Sequence, residues 1–521
     1  MRWQTAQAAY AALHLHTLSK LNRLEAVATA GEKTALELKA LGFKHKQVAA
    51  LMKLGRCAEA ESMAKGVWDR RSELLPENAK EIRTISTDYC DILRRNGKHA
   101  EAERQYGLMW YTAMSRVLDP EEEEWKLETA SRIGDVLGQQ GRYSEAALWH
   151  RRVLEQRLGR SSLDIEKAAA AAAQCISCQR RQDHGHGVIT DSALFDDLRR
   201  IWNERVPDSE NADVLLCGHE VGLRLQTLAK DEEAAAILTL VWEKRRALGS
   251  RGLADCMDTA LALADLSVKT ENLSRLESLY HWITTNPIPS QDEGEQLWYR
   301  YRLACVQAAL EKGVVAESNL RRVSERRKQL FGADDADTLQ FTQVLAEVLQ
   351  RQGKVNEAKD LAKTAWDARD RHPRSVLQAV LRTGHLYGDI IMESNSPDEL
   401  ARAEGVLREV WELATANISG NMTLSSLVSA GDCYGICLMK RRKFSKAKPV
   451  LAQAAEWKRW LSFPQADIDR STHLHNRSVE RAAKKHPSVY RPHRFCHPLR
   501  LRDYLDRWYS STAAVQRITD S

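Results

Sequence analysis

The sequence predicts an all-α protein, a right-handed superhelical solenoid of about ten helical hairpins. Three observations predict it. First, a small residue stands eight residues before a tryptophan at Ala60–Trp68, Ala102–Trp110, Ala234–Trp242, Ala358–Trp366 and Ala403–Trp411. Second, those tryptophans, with Leu154, Trp202, Trp282, Ser324 and Ala455 at the corresponding places, recur at steps of 40–48 residues. Third, an upstream small residue precedes the downstream marker by twelve positions in Cys90–Ala102, Gly134–Ala146, Gly222–Ala234, Ala264–Leu276, Ala304–Ala316, Ala346–Ala358 and Gly435–Ala447. Fixed periods of this length are the signature of a repeated supersecondary unit.

Each element follows from that spacing. Residues 1–30 form a leading helix, because Trp3, Ala6, Tyr10, Leu13, Thr17, Leu21 and Leu24 recur every three or four residues and make one buried face. Residues 31–463 form the array. In each hairpin the first helix carries a small residue where the second must approach closely, and the second answers with Ala. The turn between them reads RNGKH, QQGRY, RQGKV or KRRKF, and Gly97, Gly141 and Gly353 suit a helix end that needs positive φ. Two hairpins, Cys175–Leu194 and Gly384–Ala403, have a gap of nineteen and so gain seven residues. A residue eight after the Ala returns to nearly the same helix face. Its tryptophan then fills the space between one hairpin and the next, where it can cover about 150–250 Å². Residues 464–521 form a basic capping segment, with Leu501, Tyr504, Leu505 and Trp508 as one face of a final helix.

Composition agrees. With 28% charged residues and 12 prolines in 521, the chain suits exposed helices. No stretch approaches the roughly 20 apolar residues of a membrane span. The N-terminus lacks the apolar core and cleavage site of a secretory signal, so the ten cysteines are read as reduced and the location as cytoplasmic, with the nucleus as the alternative. The net charge of +6 conceals an asymmetry: residues 440–508 hold eighteen Lys and Arg against six Asp and Glu, on a mildly acidic body.

The small-residue and twelve-spaced Ala pattern resembles the tetratricopeptide repeat. Residues 330–370 look like the longer 42-residue variety of kinesin light chains, through Leu330-Phe331-Gly332, Asp337-Thr338-Leu339, Leu345-Ala346, Gly353-Lys354 and Glu357-Ala358. The resemblance implies a scaffold or adaptor that binds peptides or partner proteins on a concave face lined by first helices. It departs from the family where an Asn pair often precedes Leu-Ala; Gln343 and Val344 stand there instead.

The candidate partner-binding residues are Asp91, Asp135, Asp265 and Glu347, each one residue after the first-helix marker, with Gln343 and with Arg95, Lys269 and Arg351 four residues after three of the acids. As an acidic stripe they suit a basic ligand; as pairs four apart they are ordinary helix-surface charges worth about 0.2–0.5 kcal/mol each. Cys175 and Cys178, followed by His184 and His186, offer the ligand chemistry of zinc. Cys175 falls on the small-residue position, however, so packing is the expected role and no metal or cofactor is expected. No phosphate loop, HExxH, GxSxG or dinucleotide-binding turn occurs, so no catalytic activity is expected. The alternative to a protein scaffold is polyanion binding, to nucleic acid or acidic lipid, through residues 440–509.

Overall fold

A computed structural model describes residues 2–24, 30–76, 79–115, 118–160, 163–182, 189, 191–205, 210–289, 291–367, 377–394, 396–416, 424–460, 472–476 and 479. The chain falls into two compact units, Met1–Gly252 and Leu253–Ser521. All the regular structure among the described residues is helical.

In the first unit a leading helix α1 (Arg2–Leu24) packs on the first of five hairpins. These are α2/α3 (Ala30–Lys53, Cys57–Leu74), α4/α5 (Lys80–Arg95, His99–Met114), α6/α7 (Pro120–Gln139, Tyr143–Leu158), α8/α9 (Ile165–Gln182, Ser192–Glu204) and α10/α11 (Ala212–Thr227, Asp231–Ala247). The second unit holds five more: α12/α13 (Leu253–Lys269, Leu273–Thr285), α14/α15 (Glu293–Ala309, Gly313–Phe331), α16/α17 (Ala336–Arg351, Val355–Asp367), α18/α19 (Leu377–Glu393, Pro397–Ala416) and α20/α21 (Leu424–Lys440, Phe444–Trp460). Within each unit every helix packs against the next in sequence. In the second unit the first helices of successive hairpins also touch, α14 on α16, α16 on α18 and α18 on α20.

Helix starts follow local chemistry. Asp119 caps α6 in a reciprocal box with Glu122, with Pro120 in the first turn, and Asp191, Asn211, Asp292 and Asp335 accept from the opening N–H groups of α9, α10, α14 and α16. Turns between paired helices close through a left-handed residue. Gly55, Gly97, Gly141 and Gly353 hold this place at φ 74–80°, but Ala229, Glu271, Glu311 and Arg442 hold it too, at φ 54–60°. A side chain in that region costs about 1–2 kcal/mol, partly offset by the chain entropy that glycine adds to the unfolded state. Arg442→Gly is therefore expected to stabilise the second unit by about 0.5–1 kcal/mol, measured by urea unfolding; a loss of stability would show that the Arg442 side chain contributes more than its backbone strain costs.

The small-residue contacts explain the repeat. A Cβ on Gly134 would lie 2.6 Å from His150 Nε2, and one on Gly222 2.5 Å from Leu238, so in these hairpins the second helix seats a side chain directly on the first-helix glycine. Gly435 receives Leu451 in the same way. Four residues earlier on the first helix a second glycine receives the tryptophan of the preceding hairpin: Gly218 meets Trp202, Gly384 meets Trp366 and Gly431 meets Trp411. All three tryptophans are buried.

This corrects the register at three places. Gly384 is the tryptophan seat rather than the hairpin marker. Gly388, which meets Leu407, is the marker, so the gap to Ala403 is fifteen and the insertion is three residues. Trp282 lies six residues after Leu276, not eight, and is half-buried while Leu279, Tyr280 and Ile283 are buried. Trp242 is also half-buried, with Val241 taking the interior place and the Arg246 guanidinium 4.6 Å above the indole. On α1 Thr17 is buried as expected, but Leu13 is exposed and His14 takes its place, with His14 Nδ1 hydrogen-bonded to Ala40 O at 3.0 Å. In α8/α9 the extra residues fall between Gln182 and Ser192.

Consecutive hairpins are also clasped by charge. A Glu one residue after the second-helix marker pairs with a Lys or Arg four residues before the marker of the next hairpin. The pairs are Glu61–Lys98 (2.6 Å), Glu103–Arg142 (2.9 Å), Glu277–Lys312 (2.6 Å), Glu317–Lys354 (2.7 Å) and Glu404–Lys443 (2.7 Å). Lys98 and Lys354 hold the Glu61 and Glu317 carboxyls below their usual range. Half-exposed pairs of this kind contribute about 0.2–1 kcal/mol each, so they set register more than stability.

Candidate partner-binding face

An acid follows the first-helix marker in part of the array, whereas Leu223, Cys305 and Ile436 stand there in other hairpins. With Gly388 as marker, Asp389 joins Asp91, Asp135, Asp265 and Glu347 in that position. The structure places these acids in two different settings.

In the first unit the acids of α4 and α6 are interleaved with arginines. Asp91 accepts a hydrogen bond from the Tyr106 hydroxyl at 2.8 Å and pairs with Arg94 (3.5 Å) and with Arg132 of the next hairpin (3.6 Å). Its ion-pair partner on its own helix is thus three residues on, and Arg95 points to solvent as an exposed side chain. Asp135 lies 3.7 Å from His150 Nε2. Burial pushes its carboxyl up, and Arg94 and Arg132 pull it back. The first-unit row is therefore a mixed-charge ladder. Further along, Arg180 of α8 pairs with Glu220 of α10, which is almost fully buried and whose carboxyl burial pushes up.

In the second unit Asp265 and Lys269 are exposed. Gln343 and Glu347 are buried, and Gln343 Nε2 donates to Glu347 Oε1 at 2.8 Å. Arg351 is exposed. On α18, Asp389 is half-buried; its carboxyl is pushed up by burial and opposed by His385. Gln350 donates to Glu393 at 2.9 Å, and Lys440 of α20 donates to Met392 O at 2.9 Å.

The first unit also has a cleft of about 310 Å³ between α3, α4, α5 and α6. Trp68, Tyr89, Leu108, Met109 and Trp125 line it, with the Arg83–Glu122 pair (2.6 Å) at its edge. Trp68 and Tyr89 have ring centroids 5.4 Å apart, and Trp125 Nε1 donates to Thr87 Oγ1 at 3.2 Å. Sequence reasoning missed this cleft, although the half-apolar run Leu108-Met109 beside Trp110 was a signal for it.

Cys175 and Cys178 are buried in α8, with Cys175 Sγ 3.9 Å from Ala147 O, as expected for packing. His184 and His186 lie outside the described residues. Of the basic segment, Arg441 and Lys443 are paired with Glu404, Lys440 is bonded to Met392 O, and Arg442 is exposed. Most of residues 461–509, including the expected final helix, lies outside the described residues. No helix among the described residues is long and apolar enough to cross a membrane.

No family model and no curated protein matches the chain. Solved structures similar to it include BtubC (BKLC) from P. vanneervenii, at 16% identity and a TM-score of 0.37 over 51% of this chain and 98% of that one. The TPR-like repeats assigned to a kinesin light chain of Podosopora anserina are similar at 15% identity and a TM-score of 0.31, over 40% and 97%. The P58(IPK) TPR domain is similar at 14% identity and a TM-score of 0.26, over 85% and 99%. The hairpin architecture rests on the described helices themselves.

Proposed function

We propose that the chain is a non-catalytic scaffold that binds a peptide or partner protein along its first-helix row. The observation that supports this is the repetition itself. Apolar residues pack hairpin on hairpin, while an acid follows the marker in five first helices, two in the first unit and three in the second, and the exposed Arg95, Asp265, Lys269 and Arg351 lie at that position or four residues on. Within each unit, charged groups at a regular spacing suit an extended or helical ligand with complementary charge, which is the helix-in-groove or extended-peptide mode.

The test is the variant Arg95→Glu, Asp265→Lys, Lys269→Glu, Arg351→Glu in the full chain. These side chains are exposed, so each change is expected to cost less than about 0.5 kcal/mol. The proteins captured by the wild-type chain and by the variant would be quantified side by side, with helicity checked by circular dichroism. Loss of a captured partner at unchanged helicity supports the reading. Undiminished capture of every partner by the variant would sink it.

A further inference from the structure

On the second unit an imidazole meets a thiol. His385 of α18 and Cys433 of α20 approach with Nε2 and Sγ 3.0 Å apart. Both are half-buried, unlike Cys90, Cys175, Cys178, Cys217, Cys256, Cys305 and Cys437, which are buried. Burial pushes the thiols of Cys90, Cys178 and Cys217 up, Cys175 to about 12 and Cys437 to about 11, which makes them inert. A thiol within hydrogen-bond reach of a base is the arrangement that activates a sulfur nucleophile.

Charged groups of both signs surround the pair. Lys440, two turns along α20, carries a positive charge that interacts with Cys433. Asp389, one turn along α18 from His385, interacts with that imidazole, and Glu393 lies on the same helix. From α16, Gln350 reaches Asp389 and Glu393. From α19, Glu404 faces Cys437 one turn further on and is held by Arg441 and Lys443. On α21, Lys446 and Lys448 are exposed.

We propose that Cys433 is a modification site, a thiol activated by His385 that adds to soft carbon electrophiles of the α,β-unsaturated carbonyl class. His385 Nε2 takes the thiol proton. The sulfur lone pair forms a bond to the β-carbon, and the π pair of the C=C bond moves to the α-carbon as an enolate. The imidazolium then returns the proton to the α-carbon. The addition is redox-neutral and has no leaving group. It stands apart from the scaffold reading, because it needs no partner.

The test uses the folded full chain, acrolein as the electrophile, and peptide mass mapping of the Cys433 adduct, with N-acetylcysteine in the same buffer as reference. Two units below its pKa an ordinary thiol is only about 1% ionised, and a less basic thiolate loses part of that advantage in nucleophilicity, so Cys433 is expected to react about tenfold faster than the reference at pH 6.5. His385→Gln should bring it to the reference rate, and Cys433→Ser should remove the adduct. A wild-type rate at or below the reference, or an unchanged rate in a folded His385→Gln chain, overturns the proposal. If His385→Gln does not fold, the wild-type pH profile decides. Between pH 6 and 7.5 the reference rate should rise about tenfold per unit and the Cys433 rate by less than about threefold in total. Parallel profiles overturn the proposal.

Discussion

Gly384→Ala is expected to destabilise the second unit by about 1–3 kcal/mol, and Trp366→Ala by about 3–5 kcal/mol, but the double variant is expected to cost no more than Trp366→Ala alone. The reason is the contact they share, the indole seated on the glycine. A Cβ on Gly384 would overlap the Trp366 ring and also approach Val410 to 2.6 Å, so the buried indole must leave its seat. With the indole gone, Val410 can give way into the space it leaves, so an alanine at 384 fits and regains the helix preference that glycine lacks, worth about 0.5–1 kcal/mol. The two changes should therefore couple by about 2 kcal/mol or more in a double-mutant cycle. Urea unfolding followed by far-ultraviolet circular dichroism reads all four corners. Additive costs would show that Trp366 is not held by the glycine seat, and the account of the tryptophan period would fall with it.

That contact also shows what could be read from the amino acids alone. The period was visible because a tryptophan and the small residues that receive it cannot vary independently. Which glycine received what was not visible. Gly384 and Gly388 sit one turn apart on α18, and one takes the previous hairpin's Trp366 while the other takes Leu407 of its own. Choosing the wrong one hid Asp389 from the acidic row. Trp282 misled for a related reason: an indole near the expected place passed for one in register, although it lies two residues short of the eight-residue step and beside the buried Ile283.

The face itself was less legible than the fold. Pairs on one helix, such as Gln343 with Glu347, follow from spacing. Pairs between hairpins do not. Arg132 reaches Asp91 from the next hairpin, so a row read as acidic is in fact charge-balanced in the first unit. The Glu–Lys clasps have a sequence signal, an acid one after one marker and a base four before the next. It spans two repeats and is lost when each repeat is read by itself. The His385–Cys433 approach, 48 residues apart, has no local signal at all.

Lowering the pH from 7 to 5 is expected to destabilise the first unit selectively. His150 and His219 are buried there; burial holds His150 at about 4, and burial together with the nearby Arg245 and Arg180 guanidiniums holds His219 at about 3. Burial lowers His14 as well. Above pH 6.5 these imidazoles are neutral in both the folded and the unfolded chain, and their contribution to stability is complete. Below it the unfolded chain binds protons that the folded one refuses, so stability falls as the pH drops and keeps falling to the folded values. At pH 5 each of the two deeply buried imidazoles accounts for about 2 kcal/mol of loss, from about 1.4 kcal/mol per unit of pH. Glu220 and Asp135, raised by burial, work in the opposite direction: protonation relieves their buried charge, and this offsets part of the loss. Glu61 and Glu124, whose carboxyls are lowered, add to the loss only below about 4.5. Peptide-level hydrogen exchange, corrected for intrinsic rates, separates the units. Protection over α6, α7 and α10 should fall by about 2–4 kcal/mol relative to α14–α17. His150→Gln combined with His219→Gln should flatten the difference if the protein tolerates an amide at both places. Equal protection changes in the two units of the wild-type chain would mean that the buried imidazoles open to solvent too readily to be held neutral.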